Sequence, residues 1–329
     1  MNSEVNKIEY HKELDQAILS TVVYFDIFDY PLTISEIWKW LYVKDSIGKY
    51  NISEILDRLE NNYNLNEKIS FKNVFYFLKG REDIINIRHR RHLIAIPKWR
   101  KARRVTKILR IIPYLYNISA CNKIAYYNAE NNSDIDFFII TKKGRIWMTR
   151  FFVTLITSIL GVRRQKNKIA NRICLSFYIT ENHYDLSRLT IEDPDIHFIY
   201  WFSQISQIYD RQASYKKLIN KNSWIKKYLP NFTYFKGVEY ERKVKDIKIL
   251  AEIREYFEKV LDSRVGDYIE NKIKNYQIKK MDKNLESARW QQNTNVMISD
   301  DILKFHEKDT RTKVKAEFYK RIKELGLDY

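Results

Sequence analysis

The chain has 329 residues, 45% of them hydrophobic and 15% aromatic, enough for more than one buried core. Seven Gly and five Pro argue against long disordered linkers, and the two Cys read as thiols rather than a disulfide framework. A formal charge of +18 points to polyanions as partners, nucleic acid, nucleoside triphosphates or an acidic membrane face, with a Lys-rich solvated surface as the alternative.

Residues 1–15 are polar and lack the apolar core of a signal peptide. A helix is predicted from Leu14 to Phe28, ended by Asp29-Tyr30-Pro31-Leu32. Thr33-Ile34-Ser35-Glu36 is a capping box for a second helix through about Tyr42, and Asn51 caps a third through about Asn61. Lys68 to Phe71 and Val74 to Leu78 form a hairpin around Lys72-Asn73. Three helices followed by a hairpin is the order of a winged helix. Its third helix carries Glu54, Asp57 and Glu60 against Arg58, the wrong balance for entering the major groove. A packing or protein-contact role is favoured, and sequence-specific DNA reading is not expected.

Arg81 to about Arg110 reads as a long basic helix interrupted near Pro97, with Trp99, Val105 and Leu109 on its packed side. Such a run is usually a solvated face; its place before the strands that follow favours contact with phosphate. A first strand is predicted at Ile118 to Cys121 and a third at Arg172 to Thr180, with a helix from Ile146 to Leu160 stopped by Gly161. The apolar stretch Ile146 to Val162 is short for a membrane span and contains Arg150, so it reads as a buried helix. Cys121 and Cys174 read as buried thiols in a reducing cytoplasm. The remainder is expected to be helical: Asp195 to Tyr209, Ser214 to Tyr228, Val244 to about Lys280 and Asp309 to Leu325, with 288–298 irregular.

The second strand carries the most information. In Ser133-Asp134-Ile135-Asp136-Phe137-Phe138-Ile139-Ile140-Thr141, the two carboxylates occupy alternate positions and project to one side. Two convergent carboxylates repel unless a cation lies between them. Magnesium suits hard oxygen ligands and substrate phosphates, so the spacing points to metal-assisted phosphoryl chemistry. Between Asp136 and Glu181 there is no acidic residue, while Lys142, Lys143, Arg145, Arg150, Arg163, Arg164, Lys166, Lys168 and Arg172 all fall there. His89, His92, His183, His197 and His306 show no metal spacing. Ser176 has no Gly-rich elbow, and no P-loop or Gly-x-Gly-x-x-Gly occurs.

The Ser133–Ile140 segment resembles the carboxylate strand of the DNA polymerase beta-like nucleotidyltransferase superfamily. The stretches Tyr24–Thr33, Phe75–Arg81, Asn128-Ala129 and Lys304-Phe305-His306 are similar to those of bacterial nucleotidyltransferase-domain proteins with a winged-helix-like N-terminus and a helical tail. The resemblance implies an α+β fold: a winged-helix-like domain over 1–80, a small mixed-sheet core over 81–190 and a helical C-terminal region over 191–329. It implies transfer of a nucleoside monophosphate from a triphosphate, with Asp134 and Asp136 as the catalytic, magnesium-binding pair. Two departures stand out. The superfamily's Gly-Ser turn is replaced by Asn122-Lys123, and no carboxylate lies on the 172–180 strand, leaving Glu181 as the candidate third ligand with Asp185 further on. Lys123, Ser133, Lys142 and Arg145 complete the expected phosphate contacts, and RNA or another polyanion is a candidate acceptor. The alternatives are a catalytically degenerate relative that binds nucleotide or nucleic acid, and a protein-interaction module.

Overall fold

The computed structural model describes residues 2–44, 48–233, 243–283, 294–306 and 309–327, with side chains from Glu9 onward. The chain folds as a mixed α/β protein with eleven α-helices among the described residues and one mixed sheet at its centre. No described helix is long and apolar enough to cross a membrane.

Helix α1 (Asn2–Asp26) buries Leu14, Ile18, Val22 and Phe25. Thr33 caps α2 (Ile34–Lys39) reciprocally: its backbone N–H donates to Glu36 Oε2 at 2.9 Å while its hydroxyl accepts from the Glu36 amide at 3.4 Å. The sequence predicts this helix through Tyr42, but the chain leaves it early. The Tyr42 amide donates to Thr21 Oγ1 at 2.9 Å and the Val43 amide to the Tyr228 carbonyl at 2.9 Å, so tertiary partners replace helical ones. After α3 (Ile52–Asn61) and the one-turn α4 (Tyr63–Asn66) comes the hairpin β1 (Ile69–Lys72) and β2 (Phe75–Leu78). Asn73 and Val74 form its turn at positive φ, so Val74 belongs to the turn rather than to the strand.

Helix α5 (Ile84–Leu109) runs unbroken through Pro97. Pro97 is solvent-exposed, while Ala95, Trp99, Ala102, Val105 and Leu109 are buried against the sheet. That apolar face outweighs the single hydrogen bond that proline removes.

The six-stranded sheet contains β3 (Leu115–Cys121), β4 (Ile135–Thr141), β5 (Ile173–Thr180), β6 (Ser206–Asp210), β7 (Val296–Ile298) and β8 (Ile302–Phe305), in the order β6-β3-β4-β5-β8-β7. Among the described strands only β4 and β5 pair in parallel, joined by the crossover helix α6 (Ile146–Ile159). Along β4, Ile135, Phe137 and Ile139 pack toward α5 and α6. Phe138 and Ile140 join the opposite core, with α1 and α7 (Ile196–Gln204). Strand alternation puts Asp136 on that second face.

The C-terminal third is less helical than its sequence implies. The predicted Asp195–Tyr209 helix stops at Gln204, and Ser206–Asp210 pairs as edge strand β6 with β3. Pairing with an open sheet edge overrides local helix preference there. Val296–Ile298, within the stretch expected to be irregular, is β7; residues 288–293 of that stretch lie outside the described residues. The long Val244–Lys280 helix divides into α9 (Lys248–Leu261) and α10 (Arg264–Asp282), with Ser263 as N-cap. A Cβ at Gly266 would collide with the Leu261 carbonyl, so the sharp α9–α10 turn needs glycine. Between β6 and α9 lies α8 (Ser214–Lys221), and α11 (Arg311–Glu324) closes the chain.

Ion pairs bind distant segments. Asp26, 3% exposed, pairs with Arg81 after the hairpin and with Arg321 of α11. Asp29 pairs with Arg81 at 2.6 Å and Arg91 at 3.2 Å. Arg91 and Asn128 both donate to the Phe28 carbonyl, at 2.6 and 3.0 Å. Arg311, 6% exposed, donates to Asp195 (2% exposed) at 3.1 Å and to the Leu189 carbonyl at 2.7 Å. Arg311→Ala leaves that aspartate buried without its guanidinium. Chemical denaturation is expected to show a loss of about 3–5 kcal/mol; a loss below about 1 kcal/mol would contradict the role assigned to this pair.

Candidate functional site

The site forms where β4 begins. Its entry loop is held from both sides. Lys98, buried on α5, donates to the Ser133 carbonyl at 2.6 Å and to the Asn131 carbonyl at 3.4 Å. The Asn171 amide donates to the Ser133 carbonyl at 3.0 Å, and the Ile135 amide to the Arg172 carbonyl at 2.8 Å. These bonds fix Asp134 at the mouth of the strand and Asp136 one pleat further in.

Asp136 has Cys121 opposite it on β3 and Cys174 opposite it on β5. Burial first, and the Asp134 charge second, push its carboxyl up to about 7; hydrogen bonds from Asn122 and Cys174 oppose the rise. Asn122 sits at φ +58°, a left-handed conformation that asparagine tolerates. Asp134, its side chain 15% exposed, accepts from Arg164 Nη1 at 2.6 Å. The same guanidinium nitrogen lies 3.5 Å from Cys174 Sγ. One oxygen from each aspartate and the Cys174 sulfur lie within 4.8 Å of one another.

These groups line a cleft of about 1160 Å³. Arg150, Arg163, Arg164, Lys166, Lys304 and Arg311 supply its positive charge. An aromatic wall faces the aspartates: Trp201 stacks between Phe177 and Phe198 at centroid distances of 5.5 and 5.4 Å, and Phe28 stacks on His197 at 5.7 Å. His197 Nδ1 shares a hydrogen bond of 2.8 Å with the Tyr24 hydroxyl. Burial draws His197 down to about 4 and His306 down to about 3, so both are neutral at pH 7. Burial also lowers Lys304 to about 8.

Asn122, Lys123, Ser133, Asp134 and Asp136 therefore come together as the sequence predicts. Lys123 is paired with Glu130 at 2.6 Å, and Asn122 turns its side chain to Asp136. The other three expected residues stand elsewhere. Lys142 pairs with Asp262 at 2.5 Å, and Arg145 with Asp267 at 2.7 Å, beyond the far end of β4. Glu181 follows β5 at that same far end and accepts from the Lys143 amide at 3.3 Å. Parallel pairing of β4 with β5 puts Thr141 beside Thr180, so a residue after Thr180 cannot reach the beginning of β4. Asp185 accepts from the Ser187 amide at 2.9 Å in its own turn.

Sequence reasoning missed Cys174, Arg164 and Lys98 as parts of the site. The cysteine follows from parallel register with Asp136, which needs the crossover topology. Arg164 and Lys98 were visible only as members of basic runs. No family model, no curated protein and no solved structure matches the chain.

The buried histidines give a pH signature with a definite sign. Unfolded histidine binds its proton near 6.5, whereas native His197 does so near 4. Between those values the unfolded state holds the extra proton, so acid destabilises through this residue by about 1.4 kcal/mol per pH unit. Asp136 and Asp210, raised to about 7 and about 6, act in the opposite sense and offset the total. The isolating measurement is the stability of His197→Asn minus that of the unaltered protein, which should rise steadily from pH 6.5 to pH 4. A difference that is constant with pH would rule out a neutral buried His197.

Proposed function

We propose that this protein is a nucleotidyltransferase-fold enzyme that transfers a nucleoside monophosphate from a nucleoside triphosphate to an acceptor. The observation that carries the reading is the pair Asp134 and Asp136, at the mouth of a basic cleft with an aromatic wall. Further support comes from the mixed sheet, with its one parallel pair beginning at these aspartates, and from the helix and hairpin order of residues 1–80, read here as winged-helix-like. The sequence resemblance to the polymerase beta-like superfamily adds to both.

The two carboxylates suit a divalent cation: Arg164 already occupies a position of positive charge between Asp134 and Cys174. Magnesium is the ion the superfamily implies, and Asp134 and Asp136 would hold it. Once bound, a divalent ion supplies charge neutralisation for the triphosphate and lowers the barrier to attack by an acceptor oxygen. In this reading Arg163, Arg164 and Lys166 bind phosphate oxygens. Both faces of Trp201 are covered by Phe177 and Phe198, so the half-buried ring of Phe28 on the cleft wall is the one left to meet the base, a contact that tolerates any base identity. Lys98 keeps the aspartates in register. The acceptor reaches the open side of the cleft.

The test uses triphosphates labelled at the α-phosphate, with Mg2+ or Mn2+, presented with RNA, protein and small hydroxyl acceptors. Label should enter an acceptor, and Asp134→Asn with Asp136→Asn should slow the transfer about a thousandfold or more. Equal transfer by the double variant, or none with any triphosphate and acceptor, would refute the enzyme reading.

One set of contacts favours the second reading, a non-catalytic binder. Lys123 is neutralised by Glu130, Asn122 is engaged with Asp136, and no third carboxylate joins the pair among the described residues. Here the partner is a polyanion held along α5. Arg100, Arg104 and Lys107 are exposed and carry no ion pair among the described residues. A groove of about 1050 Å³ beside them is lined by Arg90, Lys98, Lys101 and Arg104. RNA affinity should fall steeply with salt, and substituting Arg100, Arg104 and Lys107 with Glu should flatten that slope by about one unit for each phosphate no longer neutralised. An unchanged slope would exclude α5 as the binding surface.

A further inference from the structure

We propose that Cys174 is the third protein ligand of the cation site, and that the site therefore takes a borderline transition-metal ion, zinc or cobalt, ahead of magnesium. This rests on the reading above only in placing a cation at the two aspartates. Three observations lead to it. Parallel pairing sets Cys174 beside Asp136, in the cleft and against the carboxylate. The sulfur and one oxygen from each aspartate fall within 4.8 Å of one another, a spread that a small inward movement closes onto one ion. Finally, a cationic nitrogen already bridges carboxylate and sulfur: Arg164 Nη1 lies 2.6 Å from Asp134 Oδ2 and 3.5 Å from Cys174 Sγ.

Arg164 is the stand-in that reveals the site. Its side chain is 44% exposed, on the segment between α6 and β5, so it can withdraw into the cleft when a metal ion enters. Its charge then remains nearby, facing the extra negative charge that a thiolate brings. No other acidic, histidine or cysteine group joins the three among the described residues, and Glu181 is held at the other end of β5. The donor set is thus two oxygens and one sulfur. Magnesium demands oxygen ligands in near-octahedral order, and sulfur serves it poorly. Zinc accepts oxygen and sulfur together, and with three protein ligands it keeps a fourth position for a substrate oxygen. On binding, the thiol proton passes to water and a metal–sulfur bond forms; nothing is oxidised or reduced.

Cobalt titration of the full chain reads this directly, because thiolate bound to cobalt gives a charge-transfer absorption band in the near ultraviolet. The unaltered protein and Cys121→Ser should both show the band. Cys174→Ser should lose it and bind cobalt at least about tenfold more weakly. Cys174→Asp, which restores an oxygen, should lose the band and gain magnesium affinity. Far-ultraviolet circular dichroism confirms that each variant is folded. Cobalt binding without the band, a band that persists in Cys174→Ser, or displacement of cobalt by equimolar magnesium would each overturn the proposal. Those results leave magnesium-dependent label transfer untouched, so this inference can fail while the proposed activity stands. If the unaltered protein binds no cobalt, zinc or magnesium, the cation site itself is refuted.

Discussion

Two carboxylates on one strand face, two residues apart, set the terms for everything around them. Left alone they would repel, and burial would force one to keep its proton. The surroundings answer with a guanidinium on Asp134 and with hydrogen bonds from an amide and a thiol on Asp136. The entry loop is braced by Lys98 from α5 and by backbone bonds from 171–172, so the pair cannot relax by splaying apart. A polar arrangement this costly, facing a large basic cleft, is characteristic of places where chemistry or binding happens.

The cleft is assembled from remote parts of the chain. Tyr24 comes from the end of α1 and Phe28 from the turn after it, Arg163 to Lys166 from the segment after α6, Trp201 from α7, Lys304 to His306 from β8 and its end, and Asp309 to Arg311 from the start of α11. One apolar core shared by α1, β4, β5, α7 and α11 holds these parts together, and ion pairs fix how they meet. Asp26 and Asp29 meet Arg81, Arg91 and Arg321, while Arg311 meets Asp195. The aromatic wall then fills the space between α1 and the sheet.

Much of this was legible in the sequence, for identifiable reasons. The capping box at Thr33, the hairpin around Asn73 and the alternating pattern of Asp134 to Ile140 are local signals, and each element stands close to where it was expected. Strands β6, β7 and β8 were not legible. Each is short, and each is a strand because of the neighbour it pairs with. Pro97 was a misleading local signal, overridden by Trp99 and Leu109 on the packed face. In the site, the aspartates could be found because side-chain period fixes which residues point together. Lys142, Arg145 and Glu181 were drawn in by proximity along the chain, but they lie a whole strand length from Asp136. Cys174 was invisible as a partner because its role exists only through strand register.

Asp26 carries a wider meaning for how this protein is built. It is a nearly inaccessible acid shared by arginines from near the first quarter of the chain and from its last helix. Cutting the polypeptide on either side would strand that acid with half of its counter-charge. Composition draws borders along this sequence, yet the two ends answer to one another through a single residue. Evolution could therefore exchange its surface loops far more easily than its segments.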